Sequence, residues 1–201
     1  MDEVITRNRA AYDRIAGDFA ARNPEVPATY RAVADEFRCQ LAGPLLDLGC
    51  GPGRDLAFWH ARGAAPVGLD LSAAMLREAG RRVGVPLVQG DLLRLPFRSG
   101  AFGGVWCSAA LLHLPKAVAP AALAGVRRVL RSGGPLLLSV KEGDGESWER
   151  WPGEGADRFF AWYQADEIEA LLRAAGFAPQ RLLRDVSDVG QRWLCHLAVA
   201  A

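Results

Sequence analysis

Five short apolar runs, each separated from the next by a stretch of helical character, constrain this chain more than any other feature. They are LLDLG from Leu45, PVGLDL from Pro66, PLVQGD from Pro86, GGVWCSA around Gly104 and PLLLSV from Pro135. Short apolar runs bounded by turn residues read as buried strands, and strands that alternate with helices build parallel sheets, because a parallel return needs a crossover. The intervening stretches also end as helices end. Gly53 to Arg62 stops before Gly63, Ser72 to Arg82 opens on Ser72 as an N-cap, and Pro120 to Leu130 finishes near Gly133. The pattern predicts an α/β fold with helices on both faces of a mostly parallel sheet.

The flanks complete that expectation. Two helical stretches open the chain, Asn8 to Ala21 with Ala11, Ile15 and Phe19 on one face, and Ala28 to Leu41, with Asn23 and Pro24 between them. After Pro135 a helix is expected from Gln164 to Ala175, stopped by Gly176. Two apolar segments follow, Gln180 to Val186 and Arg192 to Val199, separated by Asp188 and Gly190. Closing the sheet as an antiparallel hairpin, they bring it to seven strands. The segment from Glu142 to Asp157, rich in Gly, Glu and Trp without a period, reads as a long mobile loop of the kind that often forms a lid. At 201 residues this is one domain. Residues 1–41 form an N-terminal helical lid, 42–141 a ligand-binding core, and 142–201 a loop, a helix and the final strands.

Charge and cysteine usage narrow the function classes. Twenty-four basic and 23 acidic side chains leave a formal charge of +1, so no global field gathers nucleic acid or anionic lipid. The run Arg77, Arg81, Arg82 reads as a solvated helix face. Cys39, Cys50, Cys107 and Cys195 form no CxxC pair and sit among apolar neighbours, which argues against structural zinc and for reduced thiols. The N-terminus lacks a basic start followed by an apolar core, and no apolar run approaches the roughly 20 residues that span a bilayer. A cytoplasmic enzyme without membrane insertion or metal is the expectation.

Gly49, Gly51 and Gly53 follow the first strand directly and open a helix, so the backbone there can turn sharply and approach a ligand closely. Arg54 stands where the Gly-x-Gly-x-x-Gly pyrophosphate cradle needs glycine or alanine, and no Gly-Lys-Ser/Thr follows as a P-loop requires. Asp70 lies at the end of the second strand, about 20 residues on, where a carboxylate accepts hydrogen bonds from a ribose diol. QGDLLRLPF from Gln89 to Phe97 places Asp91 after the third strand.

With Asp47 inside the strand, LLDLGCGPGRD resembles the first motif of class I S-adenosylmethionine-dependent methyltransferases. FGGVWCSAALLHLP resembles that family's fourth segment, and RVLRSGGPLLLSV its helix, glycine turn and fifth strand. The order and spacing agree over roughly residues 40 to 141. The resemblance implies a Rossmann-like sheet, S-adenosylmethionine as methyl donor and S-adenosylhomocysteine as product. It implies that Gly49 and Gly51 face the methionyl part with Gly53 completing the loop. Asp47 then meets the amino group, Asp70 the ribose, and Asp91 with Leu92 the adenine, with Leu71 and Met75 as neighbours of that ring. Ser108 would contact the methionine end. Tyr12 matches a tyrosine that many relatives place near the donor methyl, although Phe19 stands where a second tyrosine often occurs.

The acceptor side carries less pattern. His113 falls just after the fourth strand, where an imidazole can take a proton near neutral pH, or can simply satisfy a backbone carbonyl in the LLHLP turn. His60 and His196 look structural. Lys141, Glu142, Arg158, Phe159, Trp162 and Tyr163 flank the long loop and suit gripping an acceptor beside an aromatic surface, or equally packing that loop on the sheet. A small-molecule acceptor with an O, N or S nucleophile is the expectation. RNA or protein methylation, a non-catalytic cofactor-binding module, and an NAD-dependent oxidoreductase remain as alternatives.

Overall fold

In the computed structural model, residues 2–153, 156–187 and 190–201 are described. Nine strands and six helices lie among them: α1 (Asp2–Arg22), α2 (Ala28–Gln40), β1 (Leu45–Leu48), α3 (Arg54–Ala61), β2 (Pro66–Asp70), α4 (Ala73–Arg82), β3 (Leu87–Gln89), β4 (Gly104–Ser108), α5 (Ala119–Val129), β5 (Pro135–Lys141), β6 (Glu146–Arg150), β7 (Asp157–Ala161), α6 (Ala165–Ala174), β8 (Phe177–Val186) and β9 (Arg192–Ala200). Seven strands form one sheet in the order β3-β2-β1-β4-β5-β9-β8. β1 to β5 run parallel, and β9 lies antiparallel between β5 and β8. The expected α/β class, the mostly parallel sheet and the closing antiparallel pair are all present.

The central runs β1, β4 and β5 are buried on both sides because each strand alternates its side chains between two helical layers, whereas β3 at the sheet edge is only half-buried. Leu46 and Leu136 point into the larger core with Ala122, Leu123 and Val126 of α5 and Ile168 and Leu172 of α6. Leu45 and Leu137 point the other way, into a core built with Tyr30, Val33 and Phe37 of α2 and Trp59 of α3. Trp59 and Trp106 meet edge to face with ring centres 4.9 Å apart, a geometry that suits two π quadrupoles. Ser72 caps α4 as expected, its hydroxyl accepting the Met75 N–H at 3.1 Å. α6 opens on a capping box of Gln164 and Glu167.

Two expectations need correction. α1 starts at Asp2 and not at Asn8, because Val4 and Ile5 pack on the larger core and give the extra turns a buried face. The expected loop from Glu142 to Asp157 contains a strand: β6 pairs antiparallel with β7, Trp148 opposite Phe159 and Glu149 opposite Arg158. An isolated hairpin is marginal in water, and this one is fastened from outside. Lys141 of β5 forms an ion pair with Glu149 at 2.6 Å, and Arg7 of α1 lies 3.9 Å over the Trp148 ring. Trp151 donates its indole N–H to Asp18 of α1 at 2.7 Å. α1 and the hairpin together form a roof over one edge of the sheet. Asp188, expected in the final turn, lies outside the described residues.

Candidate active site

The C-terminal ends of β1, β2 and β4 face the roof across a cleft of about 1160 Å³. It opens where the chain, on leaving β1, is flanked by β2 on one side and β4 on the other. Such a switch point is where open α/β sheets bind ligands, since the two loops diverge and leave a crevice.

The glycine loop forms the floor. Gly49 and Gly51 adopt φ of +75° and +51°, which side chains resist. A Cβ on Gly49 would also strike the Cβ of Ala110, whereas above Gly51 there is open space. The Gly51 N–H donates to Asp70 Oδ2 and the Ser72 N–H to Asp70 Oδ1, both at 2.8 Å, so the carboxylate braces the loop from the end of β2. Burial pushes the Asp70 carboxyl up, and those two N–H groups pull it back. Asp47 is buried in β1, and its Oδ2 has no hydrogen-bond partner among the described residues. Burial, with Asp55 nearby, holds its carboxyl well above the usual range, against the pull of Arg54.

Further along the rim, Asp91 Oδ1 accepts the Leu93 N–H at 2.9 Å, and Leu71, Met75 and Leu92 line the same cleft. Ser108 lies at the end of β4, within 3.3 Å of Arg54 Nη2. Ala109 follows with φ +54°, a strained value for a residue with a side chain, held by its N–H bond to Ser139 Oγ at 2.9 Å. The strand order therefore sets Asp91, Asp70, the glycine loop, Ser108 and Lys141 in succession along one edge of the sheet.

The roof supplies the opposite wall. Tyr12 of α1 and His113 approach at 2.7 Å, while His113 Nδ1 lies 2.8 Å from the Phe159 carbonyl. A carbonyl can only accept, so Nδ1 carries the proton and Nε2 accepts from the Tyr12 hydroxyl. Burial, reinforced by the charges of Arg158 and Lys141, pushes the His113 pKa down to about 3, and burial raises that of Tyr12 to about 12. Asn8 locks this corner, donating to the His113 carbonyl at 3.1 Å and accepting the Phe159 N–H at 2.7 Å. Burial lowers the Lys141 pKa while Glu149 opposes the shift.

Of the expected residues, Tyr12, Gly49, Gly51, Asp70, Leu71, Met75, Asp91, Leu92, Ser108, His113, Lys141 and Arg158 all line the cleft. Three do not. Gly53 turns away, and a Cβ there would press on Ala79, so its role is close packing of α3 against α4. Phe159 points into the larger core beside Trp148, and Tyr163 is fully buried in the same core. Their neighbour Phe160 faces the cleft instead, as alternation along β7 demands. The sequence reading also missed Arg54, Tyr30 and Asp13. Arg54 carried a signal: a cation in the first turn of a helix opposes the helix dipole, so it needs a carboxylate, here Asp55 at 2.7 Å. Asp13 accepts from Ser72 Oγ at 2.6 Å and from the Ala74 N–H at 3.1 Å, fastening α1 to α4. Among the described residues, no three His, Cys, Asp or Glu side chains converge as metal ligands, and no helix is long and apolar enough to cross a membrane.

Residues 45–134 match the model of the methyltransferase domain family. The malonyl-[acyl-carrier protein] O-methyltransferase of Enterobacter lignolyticus is 31% identical, the alignment covering 89% of this chain and 73% of the relative. The demethylmenaquinone methyltransferase of Beutenbergia cavernae is 36% identical over 85% of this chain and 68% of its own. Among solved structures, the fold matches that of the 1,6-didemethyltoxoflavin-N1-methyltransferase of Burkholderia thailandensis, determined with its substrate and S-adenosylhomocysteine. The TM-score is 0.76 at 24% identity, covering 98% of this chain and 88% of the other. Strand order, glycine loop and relatives agree, and the chain belongs to the class I S-adenosylmethionine-dependent methyltransferases.

Proposed function

We propose that the cleft binds S-adenosylmethionine along the sheet edge and passes its methyl group to a nucleophile on a small or carrier-linked molecule held under the roof. The observation that carries this reading is the succession of Asp91, Asp70 and the Gly49–Gly51 loop along the ends of neighbouring strands. In this reading Asp91 and the Leu92 N–H hold the adenine, with Leu71 and Met75 against its ring. Asp70, whose oxygens keep lone pairs beyond their backbone bonds, takes the ribose diol. The open space over Gly51 receives the methionyl part, Ser108 borders it, and Asp47 meets its ammonium directly or through water. The unpartnered Asp47 oxygen supports this, because a cation beside it would offset the burial that holds the carboxyl up.

S-adenosylmethionine supplies an electrophilic methyl on a sulfonium, which an aligned nucleophile displaces in line. The protein's share is then alignment and exclusion of water. Tyr12, its hydroxyl fixed by His113, closes the cleft from α1. A proton leaving the cleft for His113 would pass through the Tyr12 hydroxyl, since the accepting nitrogen faces that group. The +1 charge and the roofed cleft favour a small acceptor over a nucleic acid, and the relatives named for malonyl-[acyl-carrier protein] and demethylmenaquinone fit that choice.

Calorimetric titration with S-adenosylmethionine, S-adenosylhomocysteine and NAD tests the donor. Binding of the first two without the third is expected. Binding of NAD alone would replace methyl transfer by hydride transfer.

A further inference from the structure

Arg158 projects from β7 into the cleft with its guanidinium 4.5 Å from the Trp151 ring, 4.9 Å from Phe160 and 5.8 Å from Tyr12. Its Nε is buried without a partner, and its one polar contact among the described residues is a 3.5 Å approach to the Tyr12 hydroxyl. Glu149 stands directly across the hairpin and is the natural counter-ion, but its carboxylate is taken by Lys141 at 2.6 Å. Arg54, on the opposite wall, is likewise paired with Asp55. Among the described residues, Arg158 is the one of these three whose charge toward the cavity has no carboxylate partner. A guanidinium cannot shed its proton, and a buried N–H without an acceptor is costly, so the position suits an anion presented by a ligand.

The same corner restricts the nucleophile. A neutral hydroxyl, thiol or ammonium must lose a proton before or during methylation. Here both nitrogens of His113 are occupied, Glu149 is ion-paired, and Asp70 is assigned to the ribose of the donor. A carboxylate, with an ordinary pKa near 4, arrives already ionised.

Building on the proposed methyl transfer, we infer that the acceptor is a small carboxylic acid, anchored by Arg158 and converted to its methyl ester. One carboxylate oxygen accepts from the guanidinium and the other attacks the methyl carbon. The O–CH₃ bond forms as the C–S bond breaks, and the electron pair goes to sulfur. An anion and a sulfonium become a neutral ester and a neutral thioether, and no proton is released. Trp151 and Phe160, stacked near the guanidinium, form the apolar wall for the remainder of the acid.

The test uses the full chain loaded with S-adenosylhomocysteine and titrated with hexanoate, octanoate, benzoate and phenylacetate, each against its primary amide. Wild-type protein is expected to bind at least one carboxylate about tenfold or more tightly than the amide, the size of a lost charged hydrogen bond. Arg158→Gln should abolish that preference while S-adenosylmethionine affinity stays within about twofold, and Arg158→Lys should restore part of it. A merely structural arginine would weaken every ligand alike. With methyl-labelled donor, the product should release its label as methanol in mild alkali, as esters do. Equal binding of acid and amide, an Arg158→Gln protein that keeps the preference, or a base-stable product would overturn the inference. Failure of the wild type to bind S-adenosylmethionine would instead sink the methyl-transfer reading beneath it.

Discussion

Asp70 serves two structures with one carboxylate: it closes the glycine loop through Gly51 and starts α4 through Ser72. Asp91 is tied more simply, to the Leu93 N–H. If these side chains also hold the ribose and adenine, Asp70→Ala and Asp91→Ala should each weaken S-adenosylmethionine binding by about 1 to 3 kcal/mol. Asp70→Ala should also lower stability, because two backbone donors lose their acceptor. Titration calorimetry with thermal melts separates the two effects, and unchanged affinity in both variants would mean that the donor lies elsewhere. The placement of such residues on the cleft was legible in the sequence because it depends on a short, nearly local geometry of strand, turn and helix start. Arg158 was legible only as a residue type near a loop. What gives it meaning, the diversion of Glu149 to Lys141, is a contact between strands that spacing cannot reveal.

At the level of elements, the strands and crossover helices of the core were readable from periodicity, whereas the roof was not. Its hairpin gains its order from partners distant in the chain, Asp18 for Trp151 and Arg7 for Trp148, so residues 142–153 show no period of their own. Register decided the rest. Which of Phe159 and Phe160 faces the cleft follows from a pairing one residue either way, and a slip of one reverses every side chain. α1 is fastened to the core through Asp13 at the start of α4. Asp13→Ala should cost about 1 kcal/mol, comparable to loss of a helix cap. It should speed amide exchange in α1 while leaving β1 and β4 protected; uniform acceleration would show that the tie is not local.

For the molecule as a whole, acid sensitivity should reside partly in the sheet. His196 is fully buried on β9, both ring nitrogens are unpartnered among the described residues, and burial pushes its pKa down to about 4. Above the unfolded value near 6.5 both states are neutral, and the group favours neither. As pH falls from about 6.5 to about 4 the unfolded chain binds a proton that the folded chain refuses. Stability should drop by up to about 3 kcal/mol over that window and then level off. Denaturant melts at pH 7 and pH 4.5 should show His196→Leu losing less stability than the wild type; equal losses would assign the acid sensitivity to other groups. The place of β9 has a further consequence, for the order in which the protein can be made. β8 pairs with β9 alone, and β9, which follows it in the chain, must fill the slot between β8 and β5. At synthesis rates of about 5 to 20 residues per second, β8 waits on the order of a second or more for its partner. Pro179 and the nearby bulge, with Arg181, Arg184 and Asp185 along the strand, are features that discourage pairing with a neighbouring nascent chain during that wait.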